Sequence, residues 1–399
     1  MAKQSEKTAV PRLRFPEFRH HVGFGPAALG RAFGQITNGK ANAQDHEEGG
    51  AFPLFDRSEV IKASSKFAFD SEAVILPGEG MSFRPRYFEG KFDLHQRAYA
   101  LMECQGHSKY FYYALDHAKA ELALKAVKST VLSLRLPIIE KFVVFAPTDN
   151  AEQQKIADCL TSLDEVIAAQ GRKVEALKAH KRGLMQQLFP REGETRPRLR
   201  FPEFRDAPEW EKKQLAELGE IITGKTPSTS NAGLWGGGIL FITPTDIDDS
   251  GKYQDTSQRT VVATSALKVL PVGSIAYTCI ASIGKLAITV RPSVTNQQIN
   301  SVITRPSIDN EFVYYALVHL TPWIKSIPAT STLPIINKTE FSAIEIGIPS
   351  DSLEQKAVAD CLSSLDTRIT AETHQLAALK THKQGLMQQL FPALEEAQA

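Results

Sequence analysis

The sequence predicts an α/β protein: two globular α/β domains alternate with two long helices, which pair as an antiparallel coiled coil and give the molecule pseudo-two-fold symmetry. Three observations carry that reading. The stretch Pro11-Arg-Leu-Arg-Phe-Pro-Glu-Phe-Arg19 returns unchanged as Pro197 to Arg205. Gly183-Leu-Met-Gln-Gln-Leu-Phe-Pro190 returns unchanged as Gly385 to Pro392. Two segments carry apolar residues at alternating spacings of three and four, the mark of a coiled-coil seam.

In chain order, the repeats divide the sequence into a domain over 11–149, a helix over 150–190, a domain over 197–350 and a helix over 351–392. Within the domains, Val272 to Val290 reads as two strands turning at Gly284-Lys285, because β-branched and aromatic residues flank a tight glycine turn. Lys109 to Lys128, Phe312 to Ile324 and Trp210 to Leu218 read as helical, and Leu136-Pro-Ile-Ile139 matches Leu333-Pro-Ile-Ile336. At the start of the long helices, Asn150 with Gln153 and Ser352 with Gln355 stand where capping-box partners belong. Pro190 and Pro392 stop them.

The first seam runs Leu160, Leu163, Ile167, Val174, Leu177, Leu184, Leu188, broken by Gln170 and Lys181. The second runs Leu362, Leu365, Ile369, Leu376, Leu379, Leu386, Leu390, broken by Glu372 and Lys383. Each helix should run roughly 34 residues, about 51 Å. The first ends where the second domain begins, and the second begins where that domain ends. Domain termini usually lie close together, so antiparallel pairing follows, with a domain at each end of the rod. Setting Leu177 against Leu376 also sets Gln170 against Lys383 and Lys181 against Glu372. Polar seam residues of this kind fix register.

Composition excludes several classes. A hydrophobic content of 42% and 23% charged residues describe a soluble protein with sizeable cores. No run is apolar enough for a membrane span, and the opening residues lack the apolar core of a signal peptide. The four cysteines have no metal-ligand spacing, which points to reduced thiols in a cytoplasm. A net charge of +1 means that any nucleic-acid surface must be built from local positive charge. Gly219-Glu-Ile-Ile-Thr-Gly-Lys-Thr226 matches the phosphate-loop pattern, but the surrounding sequence offers neither a strand before it nor a helix after it. Neither a catalytic nor a metal site is legible.

A polar loop of Lys, Ser, Thr and Asn suits phosphate and base-edge contacts instead. The candidates are Lys40, Arg84 and Arg86 in the first domain and Lys225, Thr226, Ser228, Asn231, Lys285, Asn296 and Gln298 in the second. Seam packing leaves Met185, Gln186, Gln187 and their repeats Met387, Gln388, Gln389 unexplained, which assigns them to a partner surface.

Taken together, these residues resemble the specificity (S) subunit of type I restriction-modification enzymes. The resemblance spans essentially the whole chain. It rests on the Arg-Phe-Pro-Glu-Phe lead-ins with Trp210, Gly224-Lys-Thr-Pro-Ser228 with Trp235, Asn296-Gln-Gln298, Glu354-Gln355 and the Gly-Leu-Met-Gln-Gln-Leu-Phe helix ends. The first half departs from it. Phe24 replaces the tryptophan, Ala41 follows Gly39-Lys40, and the stretch between Lys141 and Pro147 is shorter than its counterpart. The resemblance implies two target recognition domains, each reading one half of a bipartite double-stranded DNA site, with the helices setting the gap. It implies docking of two methyltransferase (M) subunits, and restriction/translocase (R) subunits beyond them. S-adenosylmethionine, ATP and Mg would belong to those partners, with no cofactor and no catalysis in this chain. The residues alone also allow a coiled-coil adaptor with two protein-binding domains, or, more distantly, a nucleotide hydrolase dependent on Lys225.

Overall fold

The computed structural model describes residues 8–128, 130–248, 251–326 and 335–392. The chain divides into two compact units, Met1–Gly171 with His374–Ala399, and Arg172–Thr373. Both long helices, Asn150–Leu188 and Ser352–Leu390, contribute one end to each unit.

In the first unit, β1 (Gly25–Ala28), β2 (Phe33–Asn38), β3 (Phe52–Phe55), β4 (Lys62–Ser64), β5 (Phe69–Pro77), β6 (Arg86–Leu94), β7 (Ala98–Cys104) and β8 (Val143–Ala146) precede the first long helix. Six of them form one sheet in the order β2-β7-β5-β6-β3-β4, and β1 pairs with β8. Only the β3–β6 pairing in the large sheet is parallel. The expected helix over Lys109 to Lys128 is two shorter ones, Ser108–His117 and Lys119–Lys125.

The second unit contains β9 (Glu211–Gln214), β10 (Gly219–Thr223), β11 (Trp235–Ile242), β12 (Tyr253–Gln254), β13 (Arg259–Val261), β14 (Ile275–Thr278), β15 (Leu286–Thr289), β16 (Ser293–Thr295), β17 (Ile299–Thr304) and β18 (Glu345–Ile348). The hairpin expected at Gly284-Lys285 is present as β14 and β15, with Gly284 at φ +90°, a conformation that costs glycine little. The single large sheet of the first unit is split here into β10-β17-β14-β15-β12 and β13-β11-β16. Its continuous β6 corresponds to two short strands, β15 and β16, separated by Pro292, which cannot donate to a ladder. The helix Asn310–Ser326 covers the expected Phe312 to Ile324. Trp210 to Leu218 is not one helix: β9 pairs with β18, and a single turn, Leu215–Leu218, follows. Ladder bonds to Glu345–Ile348 override the helical preference of Glu211-Lys-Lys-Gln214. Leu333 and Pro334 of the expected repeat lie outside the described residues.

Each unit is closed by the end of a long helix. Met387, Leu390 and Phe391 join Ile156, Ala157, Leu160 and Tyr110 in one core of the first unit. Met185, Leu188 and Phe189 join Val358, Ala359, Leu362 and Phe312 in the second. Phe391 lies against Tyr110 at 5.4 Å and stacks on His117 at 5.6 Å. Phe189 lies against Phe312 at 5.5 Å and stacks on His319 at 5.2 Å.

The helices run antiparallel within each unit, but about one heptad away from the expected register. Lys383 Nζ reaches both oxygens of Asp164, at 2.6 and 2.7 Å. Lys181 pairs with Asp366 at 2.5 Å, and Lys173 with Glu372 at 2.6 Å. In the register that sets Lys181 against Glu372 and Gln170 against Lys383, Lys173 and Glu372 would stand about 12 Å out of step along the axis, beyond the reach of a salt bridge. A slip of seven keeps every seam residue on the seam, so the heptad pattern cannot choose between slips. The docking of the helix ends into the two cores chooses. Tyr113 Oη also donates to Asp164 at 2.8 Å, and Tyr315 Oη to Asp366 at 2.6 Å, which ties each carboxylate to its unit.

The lead-in repeats form a buried clamp. Arg14 donates Nε and Nη2 to Glu152 at 2.6 and 2.7 Å, and its remaining donors go to the carbonyls of His21 and Val22. Arg200 does the same with Glu354 at 2.7 and 2.7 Å, and with Ala207 and Pro208. The carboxylate hydrogen bonds raise both guanidinium pKa values. In the second unit Trp210 Nε1 adds a third donor to Glu354 at 3.0 Å, whereas Phe24 in the first offers only its ring to Arg14, at 5.5 Å. The expected capping boxes are absent. Asp149 and Asp351 receive the first backbone N–H groups instead, from Ala151 and Leu353. Gln153 bridges the Pro147 carbonyl and the His107 N–H, and Gln355 bridges Pro349 and Asp309.

Candidate nucleic-acid interface

In the second unit the loop after β10 is built against the turn between β16 and β17. Gly224 passes so close that a Cβ would stand 2.1 Å from the Asn296 carbonyl oxygen, which demands glycine. Lys225 N–H then donates to the Thr295 carbonyl at 2.8 Å, and Thr226 Oγ1 donates to Gln297 Oε1 at 2.6 Å. Further along, the Ser228 and Ser230 hydroxyls share a hydrogen bond at 2.8 Å, and Asn231 accepts the Gly233 N–H at 3.1 Å. Trp235 Nε1 donates to the Ser228 carbonyl at 3.1 Å, tying β11 to this loop. Lys225, Ser228 and Asn231 are exposed, and no ion pair among the described residues engages the Lys225 ammonium.

Three expected contact residues in this unit have structural jobs. Asn296 is 8% exposed; its Nδ2 donates to Gln298 Oε1 at 2.9 Å while its Oδ1 accepts the Gln298 N–H at 3.1 Å. The two side chains lock a turn, and the exposed residue between them, Gln297, is the one turned outward. Lys285 Nζ donates to the Ile247 carbonyl at 3.2 Å.

The first unit repeats the arrangement with different residues. Gly39 packs against the Leu94 backbone, and Lys40 is exposed. Gln96 Nε2 donates to Asn42 Oδ1 at 2.9 Å, the counterpart of the Thr226–Gln297 contact. Neither Asn42 nor Gln96 was among the expected residues, because Ala41 breaks the sequence match there. Burial lowers the pKa of the adjacent His95, with Asp56 opposing the shift. Arg84 is exposed, its nearest carboxylate Asp116 at 3.9 Å. Arg86 is half-buried: Nη2 donates to the Ser58 carbonyl and the guanidinium lies over Phe55 at 6.0 Å, while Nη1 is buried without a hydrogen-bond partner among the described residues.

The phosphate-loop pattern has no matching backbone: Gly219 opens β10, and only a single 3-10 turn, Ala232–Leu234, follows Thr226. A cavity of about 980 Å³, lined by Phe189, His319, Trp323 and Ile335 among others, includes none of the residues expected at DNA. No cluster of three or more His, Cys, Asp or Glu among the described residues could hold a metal ion. No helix among them is long and apolar enough to cross a membrane. Met185 and Met387 are 8% and 6% exposed, core residues rather than a partner surface. The heptad pattern left them unexplained because it describes only the seam, and these side chains pack into the units instead. Gln186, Gln187, Gln388 and Gln389 remain exposed, and the Gln187 and Gln389 carbonyls accept the Leu199 and Leu13 N–H groups of the lead-ins.

Comparison with known proteins agrees with this geometry. The HindI specificity subunit of Haemophilus influenzae is 38% identical over 150 residues, covering 36% of this chain and 33% of that protein. The MjaIX specificity subunit of Methanocaldococcus jannaschii is 32% identical over 174 residues, covering 42% and 40%. The chain thus matches well under half the length of these relatives. The crystal structure of the S subunit from M. genitalium has the same fold, with a TM-score of 0.66 over 97% of this chain and 100% of that one at 16% identity. Residues 32–179 and 208–381 match the type I restriction modification DNA specificity domain, once in each half. With two such matches on a duplicated scaffold, the chain belongs to the type I restriction-modification DNA specificity family.

Proposed function

We propose that this chain is the DNA-reading specificity subunit of a type I restriction-modification complex, with residues 11–149 and 197–350 as its target recognition domains. The observation that carries the reading is a repeated scaffold bearing unlike loops. The Arg–Glu clamp, the Tyr–Asp–Lys tie and the glycine-lysine loop occur in both units. The residues around each loop differ, as two readers of two different half-sites require. Lys40, Arg84, Lys225, Thr226, Ser228 and Asn231 supply phosphate and base contacts, joined by Gln96 and Gln297. Each long helix contributes to both units, so its length governs the gap between half-sites. The exposed glutamines at the helix ends belong to the surface that docks two methyltransferase subunits. Catalysis, S-adenosylmethionine, ATP and Mg reside on the methyltransferase and restriction subunits, in the cytoplasm.

Methylome sequencing of a host carrying this chain with its methyltransferase partner tests the reading: a bipartite adenine-methylated motif is expected. The assembled complex should bind duplex DNA with an affinity that falls steeply with salt, because phosphate contacts release counterions. Salt-insensitive assembly without DNA would instead indicate an adaptor that joins proteins. Inserting one heptad into both helices should lengthen the gap and leave each half-site unchanged.

A further inference from the structure

The second unit carries an arginine held ready to read a base, at a position that the loop argument does not reach. In β11, Trp235 and Ile239 both pair with Val261, so Gly236-Gly237-Gly238 forms a bulge. Gly236 adopts φ +79°, and a Cβ on Gly237 would stand 2.3 Å from the Val261 carbonyl oxygen; both positions demand glycine. The bulge turns Trp235 back over β13, with its edge against Phe241 at 5.1 Å and its face beneath Arg259. The Arg259 guanidinium lies 3.4 Å from the ring centroid. Bulges commonly re-aim a side chain next to a functional site.

Arg259 is exposed, and no hydrogen bond or ion pair among the described residues engages its guanidinium. Two other basic residues of this unit are less free: Lys285 donates to a carbonyl, and Lys252 is fixed to Glu311 at 2.9 Å. Stacking on the indole fixes the plane of a guanidinium and leaves its donors unspent. Trp235 is in turn tied by Nε1 to Ser228, so the arginine is anchored to the loop that holds Lys225 and Thr226. A planar fork with fixed orientation matches the paired O6 and N7 acceptors of guanine in the major groove. The first unit offers a different cation: Lys91 Nζ lies 4.7 Å over the exposed Phe67. An ammonium is a point charge and makes no fork.

We infer that Arg259, pre-oriented on Trp235, is a specificity-determining residue that reads a guanine in the half-site of the second domain. The inference rests on the DNA-reading function proposed above. The test compares genome-wide methylation by the assembled complex for the parent chain, Arg259→Ala and Arg259→Lys. A parent complex that yields no bipartite motif would overturn the proposed function itself, before any variant is scored. Given that motif, Arg259→Ala should relax preference for one G·C pair by about tenfold to a hundredfold, in one half-site only. Arg259→Lys, which keeps the charge, should relax it as much. Three results would overturn the inference: an unaltered motif, a uniform loss over all sites, which marks a phosphate contact, or rescue by lysine, which shows that a planar fork is not what reads the base. Trp235→Leu, which removes the platform and leaves Arg259 in place, should weaken the same position; a shift elsewhere in the motif would also count against the inference.

Discussion

The two clamps differ in one of the side chains that meet the ion pair. Around Glu152, the Arg14 guanidinium meets the carboxylate under a phenylalanine ring; around Glu354, Arg200 shares the carboxylate with the Trp210 indole. The backbone carbonyls that take the remaining arginine donors are equivalent in both. This difference teaches where the molecule tolerates change. A buried ion pair admits little variation in its charged partners, because either one left alone is a desolvated charge. The aromatic cover needs only bulk, and an indole adds a hydrogen bond. The loops face solvent and are constrained at the glycines that let the backbone through and at the Asn296–Gln298 lock.

Removing the carboxylate is the most severe way to break the comparison. Glu354→Ala should cost about 3–5 kcal/mol, since it strands Arg200 with a side-chain exposure of only 8%. Glu152→Ala should cost somewhat less, because no second donor is orphaned there. Denaturant unfolding of each variant checks both values, and equal losses would show that the indole hydrogen bond contributes nothing. Next in size are the helix ties. Lys181→Ala and Lys383→Ala each remove a half-buried ammonium from Asp366 or Asp164 and should each cost about 1–2 kcal/mol. Lys181→Ala should cost the less of the two, because Lys181 holds one oxygen of Asp366 whereas Lys383 holds both oxygens of Asp164. Thermal unfolding measures the pair.

Much of the scaffold was legible. Duplicated motifs and seam leucines gave the alternation of domains and helices, and the antiparallel sense followed from where the helices join the second domain. The register was not legible, because heptad periodicity is blind to slips of seven. What decides it lies off the seam: Met387, Leu390 and Phe391 entering one core, Met185, Leu188 and Phe189 the other, and Asp164 and Asp366 answering the two lysines. The candidate site was half legible. Glycine-lysine and polar residues marked the loop, yet sequence could not tell the buried Asn296 from the exposed Gln297 next to it. Arg259 was one basic residue among many until the three-glycine bulge placed an indole beneath it.

Trp210→Phe sharpens the comparison by giving the second clamp the cover of the first. It removes one hydrogen bond to a carboxylate that keeps its arginine, and should cost about 1–1.5 kcal/mol. Phe24→Trp is not its mirror, since Phe24 is fully buried and a larger ring overpacks the core. Both variants can be followed by denaturant unfolding, and a neutral Trp210→Phe would make the indole a space-filler.

The smallest expected effect is a pH dependence shared by the two docking sites. His117 stacks on Phe391 and His319 on Phe189, and burial lowers both imidazole pKa values. Glu121 and Asp116 oppose the shift at His117 while Lys119 adds to it, and at His319 the Pro190 carbonyl opposes it. In the unfolded chain each imidazole takes a proton near pH 6.5. In the folded chain each stays neutral to a lower pH. The unfolded state therefore binds more protons below that point, and stability falls as pH drops from about 6.5 through the folded values. Above 7 the two histidines add no pH slope. His117→Gln and His319→Gln should each flatten the loss between pH 7 and pH 5.5, measured as the difference in unfolding free energy from the parent chain. Because each ring packs on the phenylalanine that directly follows a long helix, the two variants should flatten it alike. A flattening confined to one of them would mean that the two helix ends, identical in sequence, are not equally buried in solution.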